Sequence, residues 1–187
     1  MPTYQIIRQI IKTGIKTEAA PLPDEGMRVG AQRLQEEILH VFGSALSIRQ
    51  VDAGSCNGCE LEIRALNNAY YNIEGLGIKF VASPRHADML LVTGPVSRHM
   101  VTALKRAYDA MPEPKLVVAV GDCGRDGGIF GSNGADGAGG ESYASCGKVS
   151  SVIPVDVVVS GCPPTPTLIL QGILTAISAQ KTPGTAA

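Results

Sequence analysis

Apolar residues recur along this chain in short runs, and from Leu46 onwards these runs alternate with helical patterns. The runs LSIRQVD, GIKFVA, DMLLVTG, KLVVAVG and VDVVVSG are rich in β-branched residues and predict five strands. They lack strict polar alternation, which is typical of strands buried on both faces of a sheet. Helices are predicted over 60–71, 95–110 and 167–178. This order of elements predicts an α/β fold built on a doubly wound parallel sheet.

The N-terminal part of the chain differs from this pattern. Isoleucines follow helical spacing over 4–15, which predicts a short amphipathic helix. A break with two prolines and a glycine, AAPLPDEG, separates it from a second predicted helix over 29–42. Neither helix needs to belong to the sheet. We therefore predict an N-terminal helical arm over 1–45, an α/β domain over 46–180 and a C-terminal tail over 181–187.

Composition narrows the function classes. The 187 residues are 44% hydrophobic and 18% charged, so the chain can bury a core, and the formal net charge of -1 argues against general nucleic-acid binding. No apolar run approaches the roughly 18–20 residues of a membrane span, and the N-terminus does not resemble a secretory signal. A cytoplasmic chain is expected. In that compartment five cysteines indicate metal or redox chemistry rather than a disulfide framework.

Four of the five cysteines follow predicted strands. Cys56 and Cys59 follow the first strand, Cys123 follows the fourth, and Cys162 follows the fifth. Because the carboxyl ends of parallel strands meet at one edge of a sheet, these four side chains are expected to converge there. Cys146 lies away from any strand end, and we interpret it as a small apolar residue packed within the domain.

Four thiolates can bind either zinc or an iron–sulfur cluster. The CxxC turn presents two sulfurs together, while the other two come singly from separate loops, and this layout favours a larger object such as a cubane. Spacing alone leaves a four-cysteine zinc site open. A thioredoxin-like dithiol at Cys56–Cys59 is a third option, but it gives Cys123 and Cys162 no role. Glu60 follows the turn; its ordinary role is to complement a helix dipole, and a proton relay is the alternative hypothesis.

Four segments together resemble a known family. They are CNGCE, ASPRHADMLLVTGPV, VVAVGDCGRDGG and VDVVVSGCPPTPTLILQGIL. They resemble the small electron-transfer subunit of membrane-bound, energy-converting [NiFe] hydrogenases, including formate hydrogenlyase, and the related B-type subunit of respiratory complex I. The resemblance covers about residues 46–178. It implies a flavodoxin-like fold and one [4Fe–4S] cluster held by Cys56, Cys59, Cys123 and Cys162.

The resemblance also implies partners and a location. The CxxC spacing is that of the hydrogenase members, because the complex I subunit has two adjacent cysteines instead. In such a complex the nickel–iron centre belongs to a [NiFe] hydrogenase large subunit, so this chain would relay electrons and not catalyse alone. Ferredoxin-like iron–sulfur subunits and membrane-embedded subunits would be further partners, at the cytoplasmic face of the inner membrane. The alternatives are a complex I-like quinone oxidoreductase subunit and a structural zinc-binding assembly module.

Overall fold

A computed structural model describes residues 45–131 and 143–179 of the chain, together with Tyr4, Arg8, Ile11 and Lys12. Those four residues are helical and exposed, in agreement with the helix predicted over 4–15. The second predicted helix of the arm, at 29–42, and the predicted tail at 181–187 lie outside the described residues. The arm as a separate unit therefore stays a prediction.

Within the described residues, five parallel strands form one sheet. They are β1 (Leu46–Asp52), β2 (Ile78–Phe80), β3 (Met89–Thr93), β4 (Leu116–Val120) and β5 (Val157–Val159). Their order across the sheet is β2-β1-β3-β4-β5. This is the flavodoxin-like order of doubly wound sheets, in which the connections reverse direction between β1 and β3. The predicted fold class is confirmed.

Four α-helices connect or follow these strands in the described part of the chain. They are α1 (Gly58–Ala65), α2 (Val101–Asp109), α3 (Gly121–Asp126) and α4 (Pro166–Ala179). Single 3₁₀ turns lie at Ile73–Leu76, Pro84–His86, Gly128–Phe130 and Val149–Ser151. None of the helices among the described residues is long and apolar enough to cross a bilayer.

The structure differs from the predicted helices at three places. The helix predicted over 60–71 begins at Gly58 and ends at Ala65, so Cys59 lies in its first turn. The segment after β4, for which no helix was predicted, begins with the short helix α3. The helix predicted to open at Pro95 begins only at Val101.

The late start of α2 has a local cause. The residues before it hydrogen-bond to a later segment of the chain instead of entering a helix. The Val96 N–H donates to the carbonyl of Gly147 at 2.9 Å, and the Cys146 N–H donates back to the carbonyl of Val96 at 2.7 Å. These tertiary hydrogen bonds hold the segment extended. They also place Cys146 half-buried against one layer of the core.

Apolar layers cover both faces of the sheet. On one face, α1 and α4 pack Ile63, Ile169 and Ile173 against the strands. On the other face, Leu104 of α2 and Val149 pack against the same strands. Every residue of β3 and of β4 is buried, which explains why these runs show no polar alternation. Because both faces are covered, the carboxyl ends of the strands are where ligands can reach the sheet.

Candidate metal centre

Turns that carry the cysteines follow β1, β4 and β5 along one edge of the sheet. Cys56, Cys123 and Cys162 line a single pocket of about 360 Å³ at this edge. Cys59 lies beneath them with only 9% of its surface exposed, and its Sγ is 4.0 Å from the carbonyl oxygen of Val120 at the end of β4. Cys146 is not among the residues that line the pocket. The structure thus places the four cysteines singled out from the sequence at one edge and the fifth elsewhere.

The CxxC turn is shaped by its own backbone hydrogen bonds. The carboxylate of Asp52, the last residue of β1, accepts hydrogen bonds from the N–H groups of Gly54 and Ser55, each at 2.8 Å. The hydroxyl of Ser55 accepts one from the N–H of Asn57 at 3.1 Å. Asn57 adopts the left-handed conformation at φ 72°, which asparagine tolerates better than most residues. This conformation turns the chain into α1 and separates the exposed Cys56 from the buried Cys59.

Glu60 is buried behind the CxxC turn with 7% of its surface exposed. Its carboxylate accepts a hydrogen bond from the hydroxyl of Ser55 at 2.6 Å and another from the hydroxyl of Thr93 at the end of β3. Thr93 is fully buried. A buried carboxylate needs such partners, because an unpaired one would carry a large desolvation penalty. Glu60 therefore ties the turn of Cys56 and Cys59 to the neighbouring strand.

Two glycines leave the space that the inner sulfurs occupy. A Cβ on Gly121 would lie 2.7 Å from the Sγ of Cys59, and a Cβ on Gly128 would lie 2.8 Å from the Sγ of Cys123. Both glycines also have positive φ, at 86° and 54°. Any side chain at either position would push a sulfur away and strain the backbone. The backbone at Gly121 and Gly128 therefore lies close to the sulfurs of Cys59 and Cys123. Such closeness is suitable for a group that thiolates coordinate and backbone N–H groups hydrogen-bond.

The pKa values of two of the thiols at this edge depend on the charges of the other cysteines. Burial raises the pKa of Cys59 to about 12, and the negative charges of Glu60 and of the other three cysteines, Cys123, Cys56 and Cys162, add to it. Burial also raises the pKa of the Cys123 thiol, followed by the charges of Cys162 and Cys56. The thiols therefore lie within electrostatic reach of one another. A bound cation would reverse this effect and favour the thiolate forms.

The pocket has a charged and an apolar side. Arg125 lines it together with Asp122 and Asp126, and its guanidinium lies 3.0 Å and 2.8 Å from their carboxylates. Ile129 and Phe130 also line the pocket and leave 74% and 53% of their surfaces exposed. Exposed apolar side chains beside a functional pocket are typical of a surface that another protein covers.

The donor set at this edge bears on which group it could hold. Among the described residues, no three histidine, cysteine or acidic side chains are arranged closely enough to hold a single metal ion. Four thiols come from three strand ends; three of them line one pocket, and Cys59 lies within electrostatic reach of those three. Together with the space left at Gly121 and Gly128, this arrangement fits a cofactor larger than one ion. The residues present thus fit an iron–sulfur cluster.

Sequence reasoning missed several residues of this site. Ser55 and Thr93, which hold Glu60, were not singled out, nor was the link from Asp122 to the loop of Cys162. One signal was available: Thr93 is a hydroxyl residue at the carboxyl end of the apolar run MLLVT, where ligand-binding residues of such sheets lie.

The fold and the site together define a flavodoxin-like α/β protein whose strand ends bring four cysteines to one edge. The chain belongs to the family described as NADH ubiquinone oxidoreductase, 20 Kd subunit, and the family pattern matches residues 56–176. The matched segment contains all five cysteines of the chain. The predicted family is confirmed.

Relatives within this family are subunits of oxidoreductase complexes. The chain is 40% identical over 149 residues to a probable membrane-bound hydrogenase subunit of Pyrococcus furiosus, covering 78% of this chain and 84% of the relative. It is 43% identical over 144 residues to formate hydrogenlyase subunit 7 of Escherichia coli, covering 77% of this chain but only 53% of that longer protein. A solved chain of an archaeal membrane-bound sulfane sulfur reductase superimposes with a TM-score of 0.63 and 30% identity, over 78% of this chain and 77% of the other.

Proposed function

We propose that this chain holds one [4Fe–4S] cluster on the thiolates of Cys56, Cys59, Cys123 and Cys162. The observation that carries the proposal is the arrival of cysteines from three separate strand ends at one edge of the sheet. When bound, such a cluster accepts and releases one electron at a time. The protein's part is to hold the group in place, to limit water around the buried Cys59, and to set the charge around it through Arg125.

The chain would act as the electron-transfer subunit of a membrane-associated hydrogenase complex, next to the [NiFe] centre of a large subunit. The CxxC spacing and the hydrogenase names of the relatives support this assignment. The exposed Ile129 and Phe130 beside the pocket would be covered by that large subunit. Electrons would pass on to ferredoxin-like iron–sulfur subunits, and membrane-embedded subunits would hold the assembly at the cytoplasmic face of the inner membrane.

A second candidate is the cluster-bearing subunit of a complex I-like quinone oxidoreductase. The description of the matching family favours it. The two candidates differ in the substrate of the whole complex. The intact complex, purified from membranes of the native host, should evolve hydrogen from reduced viologen if it is a hydrogenase. Quinone reduction without hydrogen chemistry would establish the second candidate instead.

The cofactor itself is tested by chemical analysis of the complex purified without oxygen. Iron and acid-labile sulfide should both be present, and dithionite reduction should produce the electron paramagnetic resonance signal of a [4Fe–4S] cluster from this subunit. Replacing any one of its four proposed ligands with alanine should remove that signal. Cys146→Ala is the matched control and should retain it, because Cys146 neither lines the pocket nor is among the charges that act on Cys59 and Cys123. Zinc in place of iron and sulfide would overturn the proposal and favour a structural assembly module.

A further inference from the structure

Cys123 and Cys162 present a positioning problem that the CxxC pair does not have. They lie 39 residues apart in the chain, as do Asp122 and Gly161 directly before them. Cys123 is in the short helix α3 after β4, and Cys162 is in the turn after β5. The pairing of β4 with β5 ends at Val120 and Val159, so the strand ladder stops before either cysteine is reached. Something beyond the ladder has to hold the two turns together.

The residues directly before the two cysteines make that connection. The backbone N–H of Asp122 donates to the carbonyl of Gly161 at 2.9 Å. The backbone N–H of Gly161 donates in return to Oδ1 of Asp122 at 3.0 Å. The carboxylate thus takes the place of the next backbone acceptor of the ladder. It extends the pairing of β4 and β5 up to the cysteines themselves.

Arg125 holds this carboxylate in its position. Its Nη1 lies 3.0 Å from Oδ1 of Asp122 and donates to the hydroxyl of Ser160 at 3.0 Å. The side chains of Arg125 and Asp122 are 45% and 31% exposed, so the ion pair by itself adds little to stability. Its value is geometric, because it orients the carboxylate towards the turn that carries Cys162.

The same reciprocal pair of hydrogen bonds occurs at the opposite end of the sheet. The Asp156 N–H donates to the carbonyl of Val117 at 2.9 Å, and the Val117 N–H donates to Oδ2 of Asp156 at 2.7 Å. Asp88 and Ser47 join β3 to β1 in the same way, with distances of 2.8 Å and 2.9 Å. These two pairs lie at the amino ends of the strands, away from the cysteines. They show what the arrangement does where no cofactor is involved, namely to lock neighbouring strands together.

We propose that Asp122 is a positioning residue that sets the separation of Cys123 and Cys162 for the cluster. This inference rests on the proposed function, since it assigns the pair of turns as ligand loops. Loss of the Asp122 carboxylate removes one of the two hydrogen bonds that hold the loop of Cys162, whose side chain is exposed, beside the half-buried Cys123. Ligands that must hold a cofactor within about 0.5 Å of its required geometry depend on such support.

The test compares Asp122→Ala with Asp122→Asn and with Asp156→Ala in the complete complex. Asp122→Asn keeps an Oδ1 acceptor for Gly161, whereas Asp156→Ala removes the equivalent link at the far end of the same strand pair. We expect Asp122→Ala to lower the resonance signal of this subunit's reduced cluster by about half or more, to shift or broaden what remains of it, and to lower the iron content by up to one cluster. Asp122→Asn should restore most of the signal and of the iron. Asp156→Ala should lower thermal stability yet leave the iron content and the signal unchanged.

A second measurement separates this inference from the proposed function. In the metal-free, reduced full-length chain, hydrogen exchange at the Gly161 amide should be roughly tenfold faster in Asp122→Ala than in the wild type, and unchanged in Asp156→Ala. A wild-type complex without the [4Fe–4S] signal of this subunit defeats the proposed function, whatever the exchange rates. A wild-type complex with its cluster, together with an Asp122→Ala variant of wild-type iron content and signal, overturns the positioning role alone. Equal iron loss in Asp122→Ala and Asp156→Ala overturns it as well, because the effect would then be general instability.

Discussion

Replacing Gly94 with alanine should displace the CxxC turn from the end of β3. Gly94 has φ 78°, and a Cβ there would lie 2.5 Å from the backbone nitrogen and 2.6 Å from the Cα of Ser55. Backbone atoms cannot move aside as the tip of a side chain can. The left-handed conformation costs alanine about 1–2 kcal/mol, and the overlap with Ser55 adds about 1–3 kcal/mol. We expect the free energy of unfolding to fall by about 2–5 kcal/mol, the sum of these two terms.

Gly77→Ala is the matched control for this substitution. Gly77 has nearly the same φ, 81°, but a Cβ there would meet nothing within 4 Å. Its variant should lose only the conformational part, about 1–2 kcal/mol. Urea unfolding of the metal-free chain under reducing conditions, followed by circular dichroism, measures both values.

The two glycine variants should also differ in cofactor content. Gly94→Ala moves Ser55, which hydrogen-bonds to Glu60 and precedes Cys56, so iron should be lost from the complex. Gly77→Ala should retain iron. Equal destabilisation by the two substitutions, or full iron in the Gly94 variant, would refute the claim that β3 supports the turn by direct contact.

Further predictions concern the buried groups. Thr93→Val removes one of the two hydroxyl donors to the Glu60 carboxylate and should lower the free energy of unfolding by about 1–3 kcal/mol in a urea titration, whereas no loss would mean that the carboxylate does not depend on it. In the metal-free chain, iodoacetamide followed by mass spectrometry should modify the exposed Cys56 well before Cys59, and equal rates would contradict the burial seen here. The folded-state pKa of Cys59, about 12, lies above the ordinary thiol value of about 8.5, so its contribution to stability is complete below pH ~8.5 and is lost as the pH rises towards 12. The urea midpoint of the metal-free chain should therefore fall between pH 8 and pH 10 more steeply than that of Cys59→Ser, and parallel curves would count against this assignment.

In the described part of the chain, three carboxylates bridge neighbouring strands through the same reciprocal hydrogen bonds, and they differ in the end of the sheet at which they lie. Asp88 and Asp156 act at the amino ends of the strands, where the sheet has no cysteines. Asp122 acts at the carboxyl end, one residue before Cys123. The same pair of hydrogen bonds thus joins strands far from the cysteines at Asp88 and Asp156, and next to the candidate centre at Asp122.

The sequence by itself determined the fold class and the edge at which chemistry can occur. Short runs rich in valine and leucine that alternate with helices are typical of a parallel sheet covered on both faces, and Leu46–Asp52 was located correctly from its residues alone. Because parallel strands end together, cysteines after three of them had to share one edge. These inferences need only local pattern and strand direction.

The tertiary structure decided what the local pattern could not. Pro95 is a favourable helix-opening residue, yet hydrogen bonds from its neighbours to residues 144–147, distant in the chain, delayed the helix to Val101. The burial of Glu60 between Ser55 and Thr93, and the bond from Asp122 to Gly161, likewise join residues up to 39 positions apart. Such contacts depend on how far each strand extends relative to its neighbours. The relative extension of neighbouring strands is set by the packing of the whole sheet, so the residues of a single segment do not predict it.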